Sequence, residues 1–183
     1  MTEKKPPVWL LDIDGVINAT ATKVPDWIWP PHTWTRQHID GFQITSSSRV
    51  MEYLTEVHEQ GLAEIRWHTT WQDRALHVGE VLGLPIFEVE EAPEFPPTSE
   101  LVAKWMRDGL PRWWKYPAAV RVLTLEKRRL VWTDDEIFDE LNAVRRQEIA
   151  ALGKTLLVCP IRQTGLDAGD LRRIRTQLKT WNR

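Results

Sequence analysis

The chain has 183 residues, of which 42% are hydrophobic and 27% are charged, and its formal net charge is −2. This composition is typical of a globular protein and excludes a large overall positive field for holding nucleic acid, although a local basic patch stays open. The single cysteine, Cys159, excludes an internal disulfide and indicates a reducing compartment. With no signal-like or membrane-spanning apolar stretch in the sequence, we expect a cytoplasmic protein.

The first informative segment is an apolar run from Val8 to Leu11, which Asp12, Asp14 and Gly15 follow closely. A short apolar run that ends at a turn signal predicts a buried strand. Carboxylates at the mouth of a buried strand are costly to desolvate unless they are paired or hold a metal. The segment therefore predicts a strand that delivers acids to a cation and phosphate site.

Residues 16–47 are rich in proline, threonine and tryptophan, and they are longer than a tight connection from a strand to a helix needs. We expect them to form a flap inserted into a single domain that spans residues 1–183. The flap is predicted to be a hairpin that uses residues 27–29 and 42–45.

Alternating strand and helix patterns fill the rest of the chain. In the first half, we predict a helix capped at Ser47 or Ser48 and closed at Gly61, a strand at 63–68, a helix at 73–82 and a strand at 85–89. An acidic loop at 90–97 is followed by a helix through 101–106 that stops at Gly109. In the second half, we predict a helix at 118–127, a strand at 130–133, a helix from 137 to about 153, a strand at 155–159 and a helix through 171–181. Glu64, Arg66 and His68 make the second strand polar, which favours a partly open face of the sheet.

This alternation predicts an α/β fold, a doubly wound, Rossmann-like parallel sheet with helices on both faces. Ligands of such sheets gather at the carboxyl ends of the strands. Three predicted strands end in polar side chains, and these are Asp12 with Asp14, Thr69, and Asp134 with Asp135. We expect these groups to meet at one edge of the sheet.

Four motifs can be read in chain order: Asp12-Ile-Asp14-Gly15-Val16, Thr69 at a strand end, Lys115 before a later strand, and Asp134-Asp135 after that strand. Together they resemble the haloacid dehalogenase superfamily of phosphotransferases, in order and spacing, from residue 8 to about 135. Thr70 is an alternative to Thr69 and Lys127 is an alternative to Lys115.

The resemblance implies a phosphatase that works through an aspartyl-phosphate. Asp12 would be the nucleophile, and Asp14 would protonate the leaving alcohol and later activate water. Dehalogenases of the family lack the second acid, because a halide needs no proton, so Asp14 favours a phosphatase. Thr69 and Lys115 would bind the phosphoryl group.

The resemblance also implies a Mg²⁺ cofactor. Asp12, the backbone carbonyl of Asp14, and Asp134 would hold the ion, and Asp135 would support it indirectly, through these ligands or through water. The histidines have no spacing typical of a zinc site.

The substrate is expected to be a phosphomonoester, with a nucleotide or a nucleic-acid end as candidates. Trp29 and Trp34 of the flap are hypothesised to stack on a flat leaving group; the alternative is that they pack the flap onto the core or a second chain. A phosphotransferase and a catalytically quiet phosphate- or partner-binding protein are the competing functions. The oligomeric state stays open.

Overall fold

The computed structural model describes residues 5–90, 92, 98–107 and 113–183. The strands are β1 (Val8–Leu11), β2 (Trp34–Ile39), β3 (Phe42–Ser47), β4 (Glu64–Trp67), β5 (Glu88–Val89), β6 (Leu130–Thr133) and β7 (Thr155–Val158). The helices are α1 (Ser48–Glu59), α2 (Arg74–Val81), α3 (Ser99–Arg107), α4 (Tyr116–Thr124), α5 (Ile137–Glu140), α6 (Ala143–Leu152) and α7 (Ala168–Trp181).

Five parallel strands form the central sheet in the order β5-β4-β1-β6-β7. The middle strand, β1, is buried along its whole length, as expected for a parallel strand covered on both faces. The predicted α/β architecture with a parallel sheet flanked by helices is therefore confirmed. None of the helices in the described ranges is long and apolar enough to cross a bilayer.

Side chains of β1 alternate between two apolar cores. Trp9 and Leu11 belong to one core, which contains buried residues of α1, α2 and α7. Val8 and Leu10 belong to the other, with Trp132 and buried residues of α4 and α6. With an apolar core on each face of the sheet, ligands are expected at the carboxyl ends of the strands.

The polar face of β4 is closed, so the expectation of an open sheet face is wrong. Arg66 is 9% exposed and His68 is 1% exposed. The Arg66 guanidinium donates to Glu126 at 2.9 Å and to Glu90 at 3.2 Å. Carboxylates from outside β4 thus neutralise the charge of Arg66. The strand pattern alone would place this charge against apolar neighbours.

A hairpin is present in the segment 16–47, but its first strand was predicted wrongly. β2 pairs with β3, whereas residues 27–29 lie in a turn region between prolines. The turn is made by Asp40 and Gly41, whose φ angles are 50° and 83°. An Asp-Gly pair with positive φ is the usual two-residue hairpin turn, and proline-flanked residues make poor strand donors.

The remaining differences are at element ends. The helix predicted from 137 to about 153 is two helices, because the chain is extended at Leu141 and the Asn142 side chain caps α6. Helix α4 begins at Tyr116 and ends at Thr124, earlier than predicted. Most of the predicted acidic loop and the stop at Gly109 lie outside the described residues.

Candidate active site

The site is built at the carboxyl ends of two neighbouring strands. Asp12 follows β1 and Asp134 follows β6, and the two strands pair up to Leu11 and Thr133. The backbone N–H of Asp12 donates to the Thr133 carbonyl at 3.1 Å. Asp12 is 6% exposed and Asp134 is fully buried. Strand pairing therefore brings together two acids that are 122 positions apart in sequence.

Lys115, directly before α4, lies between these two acids. Its Nζ donates to Asp12 Oδ2 at 2.6 Å and to Asp134 Oδ2 at 2.5 Å, and the side chain is 1% exposed. Lys127 instead lies in a groove of basic residues just before β6, away from these acids. Of the two lysines that the sequence left open, the structure brings Lys115 to the acids.

Asp135 completes a group of three carboxylates. One oxygen each of Asp12, Asp134 and Asp135 lie within 4.8 Å of one another, a spacing at which a single ion can contact all three. Asp135 Oδ2 accepts a hydrogen bond from Arg162 Nε at 2.5 Å. Carboxylate oxygens are the ligands that Mg²⁺ prefers, so the donor set fits the expected ion.

Burial and mutual repulsion disfavour the charged form of these acids. Burial and the charge of Asp12 raise the pKa of Asp134 well above its ordinary value, against the pull of Lys115. Burial likewise raises the pKa of Asp135, and Arg162 opposes this. Although burial disfavours its charge, the two acids beside Lys115 raise the pKa of its ammonium group. A bound cation would relieve the strain on the carboxylates.

Asp14 stands apart from this group and has its own partners. Its Oδ1 accepts from Asn18 Nδ2 at 2.7 Å, and its Oδ2 accepts from Trp71 Nε1 at 2.8 Å. Asp14 and Asp12 line the same cavity of about 250 Å³. The carboxylate of Asp14 is therefore held in a fixed orientation beside the cluster without joining it.

Gly15 is required by the close approach of the cluster. Its φ is +69°, and a Cβ built there would lie 2.4 Å from the Asp135 side chain. A larger residue would collide with a carboxylate of the cluster, in a backbone conformation that side chains disfavour. This explains why glycine follows the second acid of the first motif.

The two threonines occupy different positions. Thr70 lines the cavity, whereas Thr69 is 1% exposed and its hydroxyl accepts from the Trp71 backbone N–H at 3.4 Å. Phosphate binding by either threonine stays a prediction, and the cavity wall favours Thr70.

Trp29 and Trp34 are not brought to the cavity. The indole of Trp29 donates to the Leu166 carbonyl at 2.9 Å, and its ring lines a separate groove beside Tyr53 and α7. Trp34 packs against a small apolar cluster that contains Ile28. Their stacking on a substrate stays a prediction, and their contacts in the structure are with the protein itself.

Three contributors to the site were missed in the sequence: Asn18, Trp71 and Arg162. Asn18 reaches Asp14 within the turn that follows β1, and Trp71 reaches it from the loop after β4. The residue types alone do not indicate either contact. Arg162 was within reach of sequence reasoning. It follows β7, and the rule that placed Asp12 at a strand end also applies to the loop after this strand.

No protein-family model matches the chain, and no curated protein matches it. The function must therefore be argued from the geometry of the site.

Proposed function

We propose that the protein is a Mg²⁺-dependent phosphomonoester hydrolase of the haloacid dehalogenase type, working through an aspartyl-phosphate on Asp12. In this proposal the sheet is doubly wound and residues 16–47 are a flap insert beside the site. The observation that carries it is Lys115, which lies between Asp12 and Asp134 with a third carboxylate close by. A buried lysine shared by acids from two strand ends suits a site that must hold a phosphoryl group among carboxylates.

The cofactor follows from charge. Three carboxylates face two cations, Lys115 and Arg162, so the group is short of positive charge before any phosphate enters. Asp12, Asp134 and Asp135 would hold Mg²⁺, with the Asp14 carbonyl as the further ligand expected from the family. When bound, the ion supplies Lewis-acid stabilisation of charge on the phosphoryl oxygens.

The first half-reaction transfers the phosphoryl group to the protein. An oxygen of Asp12 attacks phosphorus, the bond from phosphorus to the ester oxygen breaks, and Asp14 gives its proton to the departing alkoxide. In the second half-reaction Asp14 takes a proton from water, whose oxygen attacks phosphorus. The bond between phosphorus and Asp12 then breaks, which releases inorganic phosphate and restores the carboxylate.

The surrounding residues would act by position. Asn18 and Trp71 hold Asp14 so that its carboxylate faces the cavity it shares with Asp12. Lys115 holds the Asp12 carboxylate in place through its hydrogen bond to Oδ2. Thr70, or Thr69 after a small shift of its loop, would donate to a phosphoryl oxygen. A nucleotide and a nucleic-acid end are the candidate substrates.

The test is phosphate release from an aryl phosphate with Mg²⁺, with chelator, and with Asp12→Asn. We expect turnover only with Mg²⁺ and a loss of at least about a thousandfold in kcat for Asp12→Asn. The matched control is Asp26→Asn, since Asp26 is exposed in the flap segment. Wild-type turnover that survives the chelator, or equal rates in the two variants, would overturn the proposal.

A further inference from the structure

Arg162 is an exposed cation at the rim of the catalytic cavity. It lies in the loop between β7 and α7, and about half of its side chain is exposed, against 1% for Lys115. Both residues line the cavity that contains Asp12 and Asp14. Of the described residues around this cavity, these two carry the positive charge.

The backbone of Arg162 is anchored to the segment after β1. Its carbonyl accepts from the backbone N–H and from the hydroxyl of Thr20, each at 3.1 Å. Three residues on, Gly165 has a φ of +65°, and a Cβ there would lie 2.5 Å from the Val16 carbonyl oxygen. The loop is thus packed tightly on the segment that follows Asp14, and this fixes where the guanidinium side chain begins.

The two cations have different freedom. Lys115 is enclosed and engaged by two carboxylates, so it belongs to the phosphoryl-binding floor of the cavity. Arg162 contacts Asp135 through Nε at 2.5 Å and Glu136 through Nη2 at 3.2 Å. Within the described residues these contacts leave Nη1 available. The pair with Glu136 is exposed on both sides, and such pairs are weak, so an incoming anion can compete with Glu136 for this end of the guanidinium.

We propose that Arg162 binds a second anionic group of the substrate, so that the site prefers phosphomonoesters that carry a further carboxylate or phosphate near the ester. This inference rests on the proposed function. Arginine presents a planar fork of donors that matches carboxylate and phosphate, which makes it suited to this role.

The experiment compares aryl phosphates with and without a second anion. Phenyl phosphate is set against 2- and 4-carboxyphenyl phosphate and benzene-1,4-diyl bisphosphate, with Mg²⁺, in wild type, Arg162→Ala and Arg162→Lys. Arg145→Ala is the matched control, because Arg145 makes a comparable surface pair with Glu148 away from the cavity. For each variant, kcat/KM on a dianionic substrate is divided by kcat/KM on phenyl phosphate. Comparing this ratio between variants cancels the effect of the substituent on the leaving group.

We expect wild type and Arg145→Ala to favour at least one of the dianionic substrates by about 10- to 100-fold in kcat/KM, the range of a charge-assisted contact. Arg162→Ala should lose this preference mainly through KM, with a loss in kcat/KM that is about 10- to 100-fold larger on the dianionic substrates than on phenyl phosphate, and Arg162→Lys should keep part of it. The carboxylate and bisphosphate arms show which anion is preferred.

Two results would overturn the inference while the proposed function stands: turnover with no dianion preference in wild type, and an equal loss on all substrates in Arg162→Ala. The latter would mean that Arg162 only organises Asp135. Failure of wild type to hydrolyse any of the substrates would overturn the proposed function, and this inference with it.

Discussion

Two clusters of buried charge differ in their balance. The first, the acid cluster, consists of Asp12, Asp134 and Asp135 with Lys115 and Arg162. The second, the ion-pair network, joins β4 to α4 and the residues after it, and consists of Arg66, Arg121 and Arg128 with Glu64, Glu90 and Glu126. The network has as many cations as anions, whereas the acid cluster has an excess of carboxylates.

The difference in balance appears in the pKa values. In the network, burial opposes ionisation of Glu64, but hydrogen bonds from Arg128 and Arg66 lower its pKa below the ordinary value. Hydrogen bonding from Arg66 likewise lowers the pKa of Glu126. In the acid cluster the pKa of Asp134 is raised. A balanced cluster satisfies its own charges and acts as structure, while an unbalanced one needs a cation from outside.

Replacing Lys115 should have the largest effect, because it removes the cation that the acid cluster depends on. In Lys115→Met two buried carboxylates would face each other without a counter-charge, at a cost of about 3–5 kcal/mol in unfolding free energy. Activity on an aryl phosphate should fall by about a thousandfold or more. Urea denaturation and steady-state rates measure the two effects.

Added Mg²⁺ should restore part of the stability of Lys115→Met and almost none of its activity. The control is Lys127→Met, at the exposed lysine before β6. If both variants lost the same stability and activity, the acid cluster would have no special dependence on its lysine.

Replacing Arg66 should break the balanced network and leave the chemistry alone. Arg66→Met removes one partner each from Glu64, Glu90 and Glu126, which keep their pairs with Arg121 or Arg128, and we expect a loss of about 2–4 kcal/mol in unfolding free energy. Well below the melting temperature, kcat should stay within about twofold of wild type. Arg173→Met, at an exposed and looser pair with Asp170, is the matched control.

The same variant carries a pH signature. The folded-state pKa values of Glu64 and Glu126 are lowered, so their contribution is full above the unfolded value and is lost as the pH falls through the lowered one. The stability difference between wild type and Arg66→Met should therefore shrink below about pH 4. A difference that stayed constant down to pH 3 would show that packing, not charge, stabilises this region.

The strands that carry the acid cluster were predictable because their signals are local. The runs Val8–Leu11 and Leu130–Thr133 are apolar and end in acids, and the structure confirms both bounds. The parallel arrangement then follows from the alternation of strands and helices. The general rule for such sheets predicted that the acids after these strands meet at one edge, but the direct pairing of β1 with β6, on which the cluster depends, was not predicted.

The contacts around Asp14 were not predictable, because they depend on how loops close. Trp71 and Asn18 carry no local mark of a role in a site. The hairpin strand was misplaced because tryptophans at 27–29 outweighed the proline context and the turn signal at Asp40-Gly41 was overlooked. The balanced network could not be predicted either, because the partners of Arg66 lie far from β4 in sequence. They are Glu90, after β5, and Glu126, after α4.

Replacing Trp71 tests whether the acid cluster needs a fixed neighbour at Asp14. Trp71→Phe keeps most of the ring packing against Phe42 and removes the hydrogen bond from Nε1 to Asp14. We expect about a tenfold fall in kcat with KM little changed, since a single charge-assisted bond is lost. Trp27→Phe, at an exposed tryptophan, is the control. A loss in KM alone would instead place Trp71 in substrate binding.

His68 is affected by both clusters, because a cation of each contributes to lowering its pKa. It is 1% exposed, and neither ring nitrogen has a hydrogen-bond partner among the described residues. Burial, followed by the charges of Lys115 and Arg121, lowers its pKa well below the ordinary value. The folded protein therefore keeps this ring neutral at a pH where the unfolded chain protonates it.

Because the unfolded state binds the extra proton, stability should fall as the pH drops below about 6.5, by up to about 1.4 kcal/mol per pH unit. His68→Leu lacks this loss, so its unfolding free energy should gain about 1 kcal/mol relative to wild type between pH 7.5 and 5.5. Urea denaturation at pH 7.5, 6.5 and 5.5 measures it, with His38→Gln, at an exposed histidine, as the control. Parallel pH profiles for wild type and His68→Leu would mean that the ring binds its proton equally in the folded and unfolded states. Burial and the cations of the two clusters would then not lower its pKa, and the two clusters could not be said to meet in their effect on His68.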